Sequence, residues 1–138
     1  MPVGQSGTRG LGKAPDHLYI KRVNKPPHTM RKIETEMNAA IAEGRDWCKD
    51  NTQVNCDSNG VARVYLHGHK IAEIGEGWMQ LWDGGHQTMT TKSRLNAILE
   101  ANGLPGERVF QKARQWFVNY QGSPIPFFSG MRLNWAFL

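Results

Sequence analysis

The chain has 138 residues, enough for one domain with a real core, and its 39% hydrophobic and 21% charged residues exclude a disordered or membrane-embedded class. No apolar run approaches the roughly 18 residues of a spanning helix and no basic-then-apolar leader opens the chain, so neither membrane nor secretion is expected. Two cysteines make no disulfide scaffold, and 17 Lys+Arg against 12 Asp+Glu give +5, which suits an anionic partner without requiring one.

The charge is uneven along the chain. Residues 1–32 carry seven basic side chains against Asp16 alone, whereas residues 33–138 carry ten basic and eleven acidic ones. The predicted organisation is a basic Gly/Pro-rich arm over residues 1–28 and a single α+β domain over 29–138. Gly4, Gly7, Gly10 and Gly12 leave the first fifteen residues almost without apolar material. Leu18-Tyr19-Ile20-Lys21-Arg22-Val23 reads as a short strand, stopped by Asn24 and the Pro26-Pro27 pair. Arg9, Lys13, Lys21, Arg22 and Lys25 suit an arm that tracks phosphates or wraps a neighbour; the same charges would also serve solubility.

Next comes an amphipathic helix, expected over residues 29–49. Met30, Ile33, Met37, Ile41, Gly44 and Trp47 recur at helical spacing, and Thr29 is placed to cap it. From Thr52 the period becomes two. Residues 52–56, 61–66, 70–74 and 78–82 read as short strands parted by Asp57-Ser58-Asn59-Gly60, His67-Gly68-His69 and Gly75-Glu76-Gly77. Such short links predict an antiparallel meander, with Asp83-Gly84-Gly85 as its exit turn. A second helix is expected near residues 91–102, capped by Thr90 or Thr91 and closed at Asn102-Gly103. Residues 109–120 fit a helix through Val109, Ala113, Trp116 and Tyr120, or a strand through Trp116, Val118 and Tyr120. Crowded aromatic and β-branched residues favour strand. From Gly122 the chain reads as aromatic coil or edge strand. The predicted core holds Ile33, Met37, Ile41, Val64, Leu66, Leu95, Ile98 and Leu99 with Trp47, Trp116 and either Trp78 or Trp82.

Most catalytic patterns fail. Gly7-Thr8-Arg9-Gly10-Leu11-Gly12-Lys13-Ala14 fits all but the last position of the phosphate loop GxxxxGK[ST]. Ala14 lacks the Mg²⁺-binding hydroxyl, and too little chain precedes for the required strand. His67 and His69 with His86, Glu73 and Asp83 could ligate a metal, yet Gly68 places the pair in a turn where they need not converge. Cys48 and Cys56 read as buried, reduced thiols. There is no GxSxG elbow, Ser123 and Ser129 have no neighbouring base, and no carboxylates pair for acid–base work. No catalytic residue, metal or cofactor is expected.

The densest polar signal is the start of the second helix: Thr90, Thr91, Lys92, Ser93 and Arg94 follow a Gly-rich turn. Helix N-termini favour anions, and Lys92 and Arg94 oppose the dipole where Asp or Glu would stabilise it. These five residues are therefore candidate phosphate binders. The competing reading is simple capping by the threonines, with Arg94 paired to an acid such as Glu73.

The strings Val64-Tyr65-Leu66-His67-Gly68-His69-Lys70-Ile71 and Thr90-Thr91-Lys92-Ser93-Arg94-Leu95-Asn96, with Gln111-Lys112 and Trp116, resemble a family of small tailed-bacteriophage proteins. That family shows an LHGN-x-I hairpin and a GW-x-T-x-TT-K/R-SRLN turn and helix. The likeness covers roughly residues 30–133 and departs at His69, often Asn there, and at His86, usually aromatic. It implies a phage source and lends no reaction. The expected function is therefore a non-enzymatic nucleic-acid-binding accessory protein in the cytoplasm of the infected bacterium. The alternative is a virion or assembly component whose arm contacts neighbouring virion proteins or packaged DNA; a third is an inhibitor of a host enzyme.

Overall fold

Residues 30–135 are described by the structure, a computed structural model. The chain runs through helix α1 (Lys32–Glu43) and strands β1 (Trp47–Lys49), β2 (Thr52–Cys56), β3 (Ala62–Leu66), β4 (His69–Gly75) and β5 (Trp78–Leu81). Helix α2 (Met89–Asn102) follows, then β6 (Arg108–Lys112), β7 (Gln115–Tyr120), β8 (Ser123–Pro126) and β9 (Met131–Asn134). Every pairing is antiparallel. Six strands form one sheet in the order β1-β2-β3-β4-β5-β9, and β6-β7-β8 form a second. The chain is thus α+β, with a meander as the spacing predicts. The basic arm, its phosphate-loop-like string, the strand expected over residues 18–23 and Thr29 lie outside the described residues.

The period-two pattern sorts the large sheet into two faces. Val54, Val64, Leu66, Met79, Leu81 and Leu133 are buried, while the alternate residues Arg63, Tyr65, Glu73, Gln80 and Arg132 turn outward. A register shift opposite Val64 and Tyr65 lets consecutive Ile71 and Ala72 both bury. The two helices touch each other; α1 packs against β1 and β2, and α2 against β4 and β6. Because α2 serves both sheets, it is buried continuously from Ser93 to Leu99. A helix enclosed on so many sides needs no single apolar stripe.

Three expectations about elements require correction. The first helix ends at Glu43, six residues early: Gly44 turns left-handed at φ 68°, and Trp47–Lys49 pair with β2 as a strand. Its N-cap is Arg31, with Glu34 reaching back to the Arg31 N–H. The second helix begins at Met89, and the capping hydroxyl is that of Thr88, which accepts from the Thr91 N–H at 3.1 Å. Residues 109–120 are extended as expected but form two strands, because Ala113 and Arg114 turn the chain with φ of 52° and 66°. That is the two-residue hairpin geometry that ordinarily selects Asn or Gly, so no residue type announced it.

The core holds most of the expected set: Met37, Val64, Leu66, Leu95, Ile98, Leu99 and Trp116 are buried. Ile33 and Ile41 are half-buried, as is Trp47, which packs on the core edge. Trp78 and Trp82 are only half-buried. The Arg132 guanidinium lies over Trp78 at 4.2 Å, and the Lys70 ammonium over Trp82 at 4.3 Å.

Trp78 depends on a glycine. Gly75 is its cross-strand partner, and a Cβ there would stand 2.1 Å from the indole Nε1. Gly75→Ala is therefore expected to cost about 1–3 kcal/mol by overpacking. Added to Trp78→Val, the same change should cost clearly less. Urea unfolding of the two singles and the double tests this; strict additivity would show that the ring does not rest on Gly75.

Candidate nucleic-acid interface

The start of α2 is positioned by the turn Asp83-Gly84-Gly85, in which Asp83 accepts from the Gly85 N–H at 2.8 Å and from the Ser129 hydroxyl at 3.1 Å. The Thr88 and Thr91 hydroxyls bond each other at 2.9 Å, so Thr91 is buried as part of the cap. Thr90 and Lys92 are half-exposed. Ser93 and Arg94 are buried. The Ser93 hydroxyl donates to Glu34 Oε2 at 2.6 Å, and Arg94 donates to the same oxygen at 2.8 Å. Arg94 also donates to the Thr52 hydroxyl at 3.0 Å and to Asn51 Oδ1 at 3.3 Å.

The five candidate residues are thus not one surface. Arg94 is 3% exposed and Glu34 is fully buried. The acid that holds Arg94 is Glu34 on α1, not Glu73, which binds Arg63 and Lys70 on the outer sheet face. Burial pushes the Glu34 carboxyl up, but the bonds from Ser93, the Arg31 N–H and Arg94 outweigh it and hold the group below the ordinary glutamate range. Farther along α2, Asn96 brackets one residue of β6: it accepts from the Val109 N–H at 2.6 Å and donates to the Val109 carbonyl at 3.0 Å. Ser93, Arg94 and Asn96 therefore tie α2 to α1, β2 and β6.

His67 forms the β3–β4 turn at φ 52°, and both His67 and His69 are exposed. Among the described residues no three or more His, Cys, Asp or Glu come together as a metal group. The cysteines are free, but Cys48 is exposed and Cys56 half-buried rather than both buried. The reason is that β1 is an edge strand, and the alternation places Cys48 off the core. Burial, then Asp46 and Asp57, push the Cys56 thiol up, away from a reactive thiolate.

The cations follow a pattern along the chain that the overall charge conceals. Residues 33–107 hold six basic and eleven acidic side chains, and most of those cations are tied internally: Arg45 to Glu43, Lys49 to Glu36, Arg63 to Asp57 and Glu73, Lys70 to Glu73, Arg94 to Glu34. Residues 108–138 hold Arg108, Lys112, Arg114 and Arg132 and no acid at all. Among the described residues none of these four makes an ion pair. Taken as one block, residues 33–138 hide this, because the acidic middle cancels the basic end. The spacing of the acids alone along the sequence carries the signal.

Residues 30–134 match the model of the Kyanoviridae Gp96 protein family. No curated protein and no solved structure matches. No helix among the described residues is long and apolar enough to cross a membrane.

Glu34→Gln is expected to destabilise the domain by about 3–5 kcal/mol, because it leaves Arg94 buried without its counter-charge. Glu34→Met with Arg94→Met should cost less than the two single changes combined. Since the folded pKa of Glu34 is lowered, its contribution is complete above the ordinary glutamate value of about 4.3 and is lost as pH falls through the folded value. Urea midpoints measured from pH 7 down to pH 3 check both points. A cost under about 1 kcal/mol at pH 7 would mean that the pair is not a structural tie.

Proposed function

The chain belongs to the Kyanoviridae Gp96 protein family, a family of phage proteins, and we propose that it is a non-enzymatic accessory protein that binds nucleic acid in the infected bacterial cell. The observation that carries this reading is the segregation of charge. Seven basic residues against one acid open the chain, four basic residues and no acid close it, and the middle is acidic with most of its cations tied internally. Cations kept out of ion pairs are available for phosphates, and their binding releases counterions from the polyanion. Such contacts position a nucleic acid without specifying its sequence. The arm residues Arg9, Lys13, Lys21, Arg22 and Lys25 would supply most of this attraction, with Lys92 adding one phosphate near the start of α2. Ser93 and Arg94 take no part in this reading, because both are engaged with Glu34.

Fluorescence anisotropy with labelled duplex and single strands over a salt series tests it. Full-length protein is expected to bind more tightly than about 10⁻⁴ M at low salt. Deleting residues 1–27 should leave the domain folded, since α1 begins at Lys32. The deletion should flatten the log–log salt slope for duplex DNA by roughly 3–4 units if most of the removed cations touch phosphates. Binding weaker than about 10⁻⁴ M throughout, with the protein found in purified particles by mass spectrometry, would replace this reading with virion assembly.

A further inference from the structure

We infer that the outer face of the small β6–β7–β8 sheet is a stacking platform for a single-stranded polynucleotide. This rests on the nucleic-acid reading above and names the form of nucleic acid and the surface that takes it. Strand alternation sends Val109 and Val118 into the core and turns Arg108, Phe110 and Lys112 to the opposite face. Phe110 and Phe117 are direct cross-strand partners there, with ring centroids 5.6 Å apart and planes 21° from parallel. Both rings are half-buried, and neither belongs to the hydrophobics packed on the core, unlike Tyr120 and Ile125 from the same sheet.

The charge around the rings selects the occupant. Arg108 and Lys112 are exposed and stand two residues to either side of Phe110, about 13 Å apart along the strand. Arg114 is exposed at the tip of the same hairpin. No Asp or Glu occurs from Arg108 to Leu138, and among the described residues none of these cations is in an ion pair. A core partner or a copy of an apolar face would favour neutral flanks. Stacked rings between unpaired cations instead match the alternation of base and phosphate. Base pairs in a duplex already have their faces covered, so only an unstacked strand can extend the Phe110–Phe117 stack.

The experiment compares full-length protein with three variants: Phe110→Ala/Phe117→Ala, Phe110→Leu/Phe117→Leu, and Arg108→Ala/Lys112→Ala/Arg114→Ala. The Leu pair keeps apolar cover on the sheet and guards against loss of fold, which thermal unfolding reads directly. Probes are labelled oligo(dT), oligo(rU) and a duplex of equal length. Wild type is expected to prefer one or both single strands over duplex. The Leu pair should weaken single-strand binding roughly tenfold or more, with duplex affinity and the salt slope unchanged. The cation variant should instead flatten the single-strand salt slope by up to about 0.7 for each phosphate no longer neutralised. The relative effect on oligo(dT) and oligo(rU) tells DNA from RNA. Equal binding of duplex and single strands, insensitive to the Leu pair, would overturn the platform while leaving nucleic-acid binding intact. Absence of binding to every probe would overturn both readings. A wild-type dimer that the Leu pair dissociates, with oligonucleotide affinity unchanged, would make this face a subunit interface and also overturn the platform.

Discussion

The buried pairing of Glu34 with Arg94 is the constraint around which the other elements are arranged. A carboxylate and a guanidinium removed from water remain charged only if their remaining bonding positions are filled with good geometry. Here the filling residues come from separate parts of the chain: Ser93 from α2, the Arg31 N–H from the start of α1, and Thr52 with Asn51 from the β1–β2 corner. Satisfying these two charges therefore fixes where α1 sits on β2 and how α2 is rotated. That demand also explains an arginine in the first turns of a helix. Its cost against the dipole is a few tenths of a kcal/mol, small beside the about 3–5 kcal/mol of leaving Glu34 buried without its counter-charge.

Farther along, α2 also carries the link to the second sheet. Asn96 pairs with both backbone groups of Val109 as a neighbouring strand would, which sets the position of β6. From the other end of the chain, Glu107 accepts from the Trp135 indole at 3.0 Å and from the Leu104 N–H at 2.9 Å. Burial pushes its carboxyl up, and those two bonds with a third from the Gln121 N–H only partly offset the effect. The Thr-Lys-Ser-Arg-Leu-Asn string, the most specific part of the likeness to phage proteins, is therefore largely a set of ties between α1, α2 and the two sheets.

Further polar residues, outside those ties, lie on the outer faces of the two sheets. On the large sheet, Arg63 and Lys70 share Glu73, whose carboxyl is held low first by its bond from Lys70, and Arg132 rests on Trp78. On the small sheet the cations have no such partners among the described residues, and they flank aromatic rings on its outer face. The two sheets thus divide the labour. The large one closes the core and pairs Arg63 and Lys70 with its own acids, while the small one leaves charge and ring surface open.

By itself the sequence determined the α+β class, the meander and the identity of most core residues. Those features follow from local periodicity and from turns whose residue types are nearly obligatory, such as Asp57-Ser58-Asn59-Gly60 and Glu76-Gly77. It also located the excess of basic residues over positions 1–32, because charge is a property of composition. Only the tertiary structure decided which polar residues near Thr91 face inward, since Ser93 and Arg94 stand about 60 positions from Glu34 and all three look equally surface-like in one dimension. It likewise decided where the first helix stops, because Trp47 and Cys48 suit a helical stripe and an edge strand alike, and pairing with Val54 and Gln53 breaks the tie. The hairpin at Ala113 and Arg114 is the clearest case. Two residues of no turn preference are held at positive φ between paired strands, with Lys112 opposite Gln115 and Gln111 opposite Trp116.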